Sequence, residues 1–246
     1  MKILLSVSYN GSHYHGWQRQ NKAKTVQETI ENGLSKLFSK NIKTLAASRT
    51  DAGVHALDQK VSFELKSCEL KFPLEKTKLL LNNILPKNIF INSAQKVNNN
   101  FQVRYNVIRK TYKYIIYNSP KFNILLKDFS WHIEKKLDIN KINHTLDLFI
   151  GKKDFKTFCA ANSSQVTTIR EIFDFKIKSK DNFLIFEITG DGFLYKMIRI
   201  IMATIIDNNI NHKSFSNLEK IIKSQDRSLA QKIAPACGLI LAKIIY

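Results

Sequence analysis

The residues best suited to chemistry lie in one run, Ala47-Ser48-Arg49-Thr50-Asp51-Ala52-Gly53-Val54-His55-Ala56. An ionised aspartate only accepts hydrogen bonds and a guanidinium only donates them, so Arg49 beside Asp51 can hold or position charge at a single carboxylate. Gly53 lets the backbone turn just after that carboxylate without a Cβ penalty. Taken by itself, Arg-Thr-Asp-Ala-Gly is also what an ordinary surface turn looks like. Histidine offers a second chemistry. His13-x-His15 has no acid or thiol at a ligand-like spacing, so no metal is expected there, and His55 is expected to order the Asp51 loop. The chain has no Gly-x-x-x-x-Gly-Lys-Ser/Thr loop and no carboxylate cluster for a divalent cation. Both absences argue against a metal-dependent nuclease or a phosphotransferase.

Secondary structure has to present these residues. Lys2–Tyr9 alternates as a strand with Ile3, Leu5 and Val7 on one face. A polar loop follows over residues 10–20, and Thr25-Val-Gln-Glu28 is a capping box opening a helix with the stripe Val26, Ile30, Leu34, Leu37. Lys43–Ala47 is a short strand feeding the Asp51 loop. Lys60–Leu65 is another strand, with Val61, Phe63 and Leu65 facing one way. Pro73 opens a helix through Ile84, Pro86 closes the turn after it, and Ile89–Val97 is a strand. The second half runs similarly. Lys110–Tyr117 is a strand, Asp138–Phe149 a helix ended by Gly151, and Phe173–Lys178 with Asn182–Thr189 a hairpin around Lys180-Asp181. Leu194–Asn208 is an apolar helix, Ser216-Asn-Leu-Glu219 caps a shorter one, and Leu239–Ile245 is a closing strand. The expected class is therefore α+β. It comprises two ferredoxin-like β-α-β-β-α-β lobes, residues 1–106 and 107–246, sharing a mixed/antiparallel sheet with a central active-site cleft.

Composition narrows the partner. Thirty-nine Lys and Arg against 20 Asp and Glu leave a net charge of +19, a field that attracts polyanions and favours nucleic acid. The chain is also rich in Lys, Asn and Ile, as an AT-rich genome produces, so part of that charge is lysine on solvated faces. Cys68, Cys159 and Cys237 are odd in number and far apart, with no Cys-x-x-Cys. They read as reduced cytosolic thiols. The start, Met1–Tyr9, lacks the apolar region and cleavage site of a signal peptide, and Leu194–Ile206 is too short and too charged to span a bilayer. A cytoplasmic location is expected.

The Asp51 run resembles the active-site motif of the TruA family of tRNA pseudouridine synthases, Gly/Ser-Arg-Thr-Asp-Ala-Gly-Val-His-Ala. Tyr9-Asn-Gly-Ser-His-Tyr-His-Gly-Trp-Gln18 resembles the family's Tyr-Asp-Gly-Thr-x-Tyr-x-Gly-Trp-Gln, with Asn10 where Asp is usual, and Thr25-Val26-Gln27 matches its helix opening. Arg104–Asn118 is similar to the segment that keeps an active-site tyrosine, here Tyr112. Gly192-Phe-Leu-Tyr-Lys-Met-Ile-Arg199 is similar to Gly-Phe-Leu-Tyr-x-Met-Val-Arg, with Ala203 in place of a common Gly. Ala234-Pro-Ala-Cys-Gly-Leu239 is similar to Ala-Pro-Ala-x-Gly-Leu, with Gln231 departing from a usual Gly.

The resemblance implies a pseudouridine synthase fold, with Asp51 as the catalytic residue and Tyr112 and Arg199 in the active site. It also implies a homodimer that isomerises uridines at positions 38, 39 and 40 of the tRNA anticodon stem-loop, with no metal or other cofactor. In such a reaction Asp51 acts as nucleophile at the sugar or as a base, and the residues leave both routes open. Tyr112 offers a ring on which a base can stack, although a tyrosine in an alternating strand is commonly core. Arg49 could fill the gap left by a flipped nucleotide or bind phosphate. Phe155 and Phe158 are expected in the core, and Lys152 and Lys153 in solvent or facing RNA. The competing expectation is a non-catalytic tRNA-binding protein or RNA chaperone on the same fold.

Overall fold

The computed structural model describes residues 1–161 and 166–246. The chain is α+β and divides into two units, Met1–Ile108 with Ile240–Tyr246, and Arg109–Leu239.

In the first unit β1 (Lys2–Tyr9), α1 (Val26–Phe38), β2 (Leu45–Ala46), β3 (His55–Glu64), α2 (Leu74–Ile84) and β4 (Ile89–Val97) follow in β-α-β-β-α-β order. β1 is central and antiparallel to both neighbours, with Leu5 opposite Val61 of β3 and Ala94 of β4. β2 pairs with the far edge of β3, Leu45 opposite Ser62. The strand order β4-β1-β3-β2 is the ferredoxin-like one. Ile3, Leu5 and Val7, Val61, the α1 stripe Val26-Ile30-Leu34 and Leu81 of α2 have no solvent exposure and form this unit's core. Leu37, expected to extend the stripe, is only half-buried. Thr25 caps α1, its hydroxyl accepting from the Glu28 amide, a contact worth about 1 kcal/mol. β3 begins five residues before the predicted Lys60, because Tyr9 of β1 supplies a ladder partner for Ala56. The last part of the Asp51 run is thus strand rather than loop.

The second unit comprises β5 (Arg109–Asn118), β6 (Trp131–Ile133), α3 (Ile139–Leu146), β7 (Gly151–Asp154), β8 (Ile169–Lys180), β9 (Phe183–Gly190), α4 (Met197–Ile210) and α5 (Phe215–Lys223). β5, β9, β8 and β7 pair antiparallel in that spatial order, and the short β6 lies parallel beside the end of β5. Tyr114 and Ile116 of β5, Phe149, Phe155, Phe158, Ile172, Met197 and Ile200 are fully buried. α4 is enclosed on nearly every side, which accounts for its nearly continuous apolar run.

Several local readings change. The helix predicted to Phe149 is α-helical only to Leu146 and tightens into a 3-10 turn over Asp147–Phe149. Ser214, not Ser216, caps α5, accepting from the Asn217 amide at 3.2 Å while its hydroxyl lies 2.9 Å from that of Ser216. Lys153 is not solvated: it is half-buried, its Nζ donates to the Leu148 carbonyl at 2.6 Å, and burial lowers its pKa.

The closing strand, β10 (Leu239–Ile245), runs parallel to β3 of the first unit, with Ile240 opposite His55 and Leu241 opposite Ala56. It takes the length of β3 edge that the two-residue β2 leaves open. Tyr246 fastens the end of the chain to the same unit, its hydroxyl donating to the Val103 carbonyl at 2.8 Å and its ring meeting Phe101 edge-on at 4.8 Å.

Candidate active site

The Asp51 loop is held by three separate stretches of the first unit. From below, Ala47 N–H donates to the Lys60 carbonyl at 2.9 Å, and the buried side chain of Gln59 bonds both the N–H and the C=O of Ser48 at 3.2 and 2.8 Å. From the side, the buried Tyr9 hydroxyl lies 2.8 Å from the Thr50 hydroxyl. From above, the loop after β1 folds over it: Trp17 N–H donates to the Thr50 carbonyl at 3.0 Å, and Gly53 N–H to the Tyr14 carbonyl at 3.3 Å. The close approach has a backbone cause. Gly16 has φ +89°, and a Cβ there would lie 2.7 Å from the Thr50 oxygen.

His55, at the start of β3, bonds the loop after β1. Its Nδ1 accepts from Gly11 N–H at 3.1 Å, which places the ring proton on Nε2 in the neutral form. Asn10 caps the 3-10 turn Gly11–His13 by accepting from Ser12 N–H at 3.0 Å. A neutral amide oxygen suffices for that bond, so losing the charge of an aspartate costs this cap little. Within this frame Thr50 is buried, Asp51 half-buried and Arg49 exposed. The fold thus fixes the backbone on both sides of the carboxylate and leaves the guanidinium at the surface.

The second unit assembles its own group. Arg199 lies in the first turn of α4, where the helix dipole disfavours a cation, so helix stability is not the reason for its placement. Its Nε donates to the Ala234 carbonyl at 2.7 Å, and Ala234 N–H returns a bond to the Arg199 carbonyl at 3.2 Å. The next residue, Pro235, accepts from the Tyr114 hydroxyl at 2.8 Å. Gly238 lets the same segment press against β5, since a Cβ there would lie 2.8 Å from the Ile115 oxygen and 2.9 Å from the Tyr114 ring. Ala234-Pro-Ala-Cys-Gly is therefore a strap joining the start of α4 to β5. Burial pushes the Tyr114 phenol well above its ordinary value, Cys237 adds to the rise, and Arg199 partly offsets it. Tyr112, two residues earlier on the same face of β5, is buried with its ring edge-on to Phe193 at 5.3 Å and 83°. His13 and His15 are exposed. Among the described residues, no three His, Cys, Asp or Glu side chains gather in a way that could hold a metal ion.

The sequence reading missed Gln59, Tyr9 and Glu31. Gln59 had a visible signal: it occupies the next inward position of the 59-61-63-65 alternation, a polar residue where an apolar one belongs. Glu31 likewise breaks the apolar face of α1. The Tyr9–Thr50 contact joins residues 41 apart and has no local signature.

One unit thus carries a braced Arg-Thr-Asp-Ala-Gly loop, and the other a strapped arginine with buried tyrosines. The model of the tRNA pseudouridine synthase family matches residues 5–106 and 146–246, most of the chain. The chain is 39% identical over 244 residues to tRNA pseudouridine synthase A of Caldicellulosiruptor bescii, covering 99% of each chain. It is 39% identical over 246 residues to the protein of that name from Borreliella afzelii, covering 100% of this chain and 99% of the other. The chain belongs to the tRNA pseudouridine synthase family.

Proposed function

We propose that this protein is an isomerase that converts uridine to pseudouridine in tRNA, at positions 38, 39 and 40 of the anticodon stem-loop, with Asp51 as its catalytic residue. The reaction breaks the N1–C1′ bond, turns the base and forms a C5–C1′ bond, while C5 loses a proton and N1 gains one. Atoms and electrons balance without oxidant, nucleotide or metal, so no cofactor enters. Asp51 serves the exchange as nucleophile at C1′ or as base, and either role needs a carboxylate whose backbone does not wander. The single observation that carries the reading is the bracing of residues 47–53 from three stretches of the first unit around one acid.

Arg49, exposed beside Asp51, contacts the RNA and helps hold the target nucleotide out of its stack, a step that costs a few kcal/mol. Arg199 and Tyr112 contact the RNA from the second unit. A net charge of +19 supports a polyanionic substrate. The protein works in the cytoplasm as a homodimer, its tRNA held across both subunits.

The test is purified protein with an unmodified tRNA transcript, mapped for pseudouridine by site, beside Asp51→Ala and Asp51→Asn. Product in the anticodon stem from wild type, with folded and silent variants, is the expected result. Product from Asp51→Ala at the wild-type rate removes Asp51 from the chemistry. Tight tRNA binding with no product from wild type replaces the enzyme by an RNA-binding protein on the same scaffold.

A further inference from the structure

Among the described residues, three have both backbone groups taken by one side-chain amide. Asn82 of α2 bonds the N–H and C=O of Ile91 at 2.7 and 3.1 Å. Asn209 of α4 bonds those of Asp138 at 3.0 and 3.0 Å. Gln59 of β3 bonds those of Ser48 at 3.2 and 2.8 Å. In each case the amide meets the backbone of one residue as a peptide group would, offering one donor and one acceptor. Of the three, Gln59 acts on the segment that carries Asp51.

Its place in the sheet is particular. β2 pairs with β3 at Leu45–Ser62 and Ala46–Val61, and Ala47 N–H still reaches the Lys60 carbonyl. Rungs of an antiparallel ladder fall on alternate residues, so the next would join Arg49 with Asp58, and the backbone groups of Ser48 would point away from β3 if the strand ran on. At Ser48 the segment turns, and the Gln59 side chain takes both of its backbone groups. Residues 48 onward can thus leave the plane of the sheet without leaving buried backbone groups unmet, which would cost about 1–3 kcal/mol each. The other end of the segment is braced similarly: Glu31 accepts from Thr44 N–H at 2.8 Å, and Gln27 donates to the Thr44 carbonyl at 3.1 Å.

We infer that Gln59 is a positioning residue for the reaction proposed above. Its side-chain amide holds both backbone groups of Ser48 where the segment turns out of the sheet, and so sets where the Asp51 carboxylate stands. Gln59 touches no substrate. It acts through Ser48, three residues before the acid.

The inference rests on the functional reading, and the experiment separates the two. Single-turnover pseudouridine formation and tRNA binding are measured for wild type, Gln59→Met, Gln59→Glu and Asn82→Met, with thermal unfolding of each. Methionine keeps length and apolar volume but makes neither bond. Gln59→Met is expected to lower the rate by about 10²-fold, the effect of roughly 1 Å of misplacement, with tRNA affinity changed by less than about threefold. Asn82→Met loses the same kind of brace elsewhere in the unit and should lower the melting temperature without lowering the rate.

Gln59→Glu supplies the signature that a merely structural residue would lack. An ionised glutamate repels the Ser48 carbonyl, whereas a neutral carboxyl offers one donor and one acceptor as the amide does. Burial favours the neutral acid, so the variant's rate relative to wild type should climb as pH falls. The surrounding charges are Asp58 and Lys60, paired at 2.6 Å on β3, Glu31 with Arg19 at the far end of the segment, and Arg49 and Asp51 on the loop. They are present in both proteins and cancel in the ratio. A wild type that makes no pseudouridine defeats the functional reading. An active wild type with Gln59→Met at full rate, with Gln59→Met and Asn82→Met slowed alike, or with a flat Gln59→Glu ratio against pH, overturns the role of Gln59.

Discussion

Replacing Gly16 by alanine should slow the reaction more than it destabilises the fold, and the structure allows both effects to be worked out. Gly16 has φ +89°, so any L residue there pays backbone strain of about 1–2 kcal/mol. The new methyl would also lie 2.7 Å from the Thr50 carbonyl oxygen and 3.1 Å from the Asp51 carbonyl carbon. Heavy-atom pairs sit best at about 3.5–4.0 Å, so the loop must retreat by roughly 0.8 Å to restore an ordinary contact. If a full ångström costs about 10²-fold in rate, that retreat costs about 40-fold, or ~2.2 kcal/mol of transition-state stabilisation. The strain lowers the melting temperature by about 2–8 °C in a chain of this size. Gly151 is the control. Its φ is +99° and no atom lies within 4 Å of the place a methyl would take, so Gly151→Ala carries the strain without the contact. The assay is single-turnover pseudouridine formation at saturating tRNA, beside thermal melts of both variants. Gly16→Ala should be slow and Gly151→Ala fast, with comparable losses in melting temperature. Equal rates in the two variants would refute the argument that Gly16 matters through its contact with the Asp51 loop.

Two further outcomes follow from charge and burial. Desolvation holds the phenols of Tyr14, Tyr114 and Tyr246 above the ordinary tyrosine value. The folded state then keeps protons that the unfolded chain releases, so stability that is fully present below about pH 10 is lost as pH rises beyond it. Urea midpoints across that range should fall for wild type and fall less for Tyr246→Phe, and identical slopes would count against the burial account. Affinity for tRNA should drop by about 10³-fold or more between roughly 50 and 200 mM salt if the basic field is used on phosphates, and a flat response would mean that it is not.

The braces also show which kinds of contact a linear reading can reach. The β1 strand, the α2 helix after Pro73, β4 and β10 lie where alternation and punctuation predict them, because each depends on residues within a few positions of one another. β6, with three residues, and β7, with four, are too short for any period to show, and they exist because β5 and β8 offer them an edge. Ser216 looked like a cap and Ser214 took the role. Two serines two residues apart are equivalent in sequence, and only the entry direction of the chain chooses between them. Lys153 resembled its neighbour Lys152 until the Leu148 carbonyl was brought within reach of its amine.

The sequence by itself determined the class, the β-α-β-β-α-β order of the first unit and the run carrying Asp51, because propensity, periodicity and motif are local properties. It also held a signal that went unread, Gln59 and Glu31 as polar residues on apolar faces, without saying what they meet. Tertiary structure decided the rest. It set Tyr9 against Thr50 and Arg199 against Ala234, and it brought the Gln59 side chain to both backbone groups of Ser48. It also returned the last strand to the edge of β3. Those partners are separated by 11 to 185 residues, and such contacts are chosen by which surfaces the fold has already brought together, not by anything the neighbouring residues spell out.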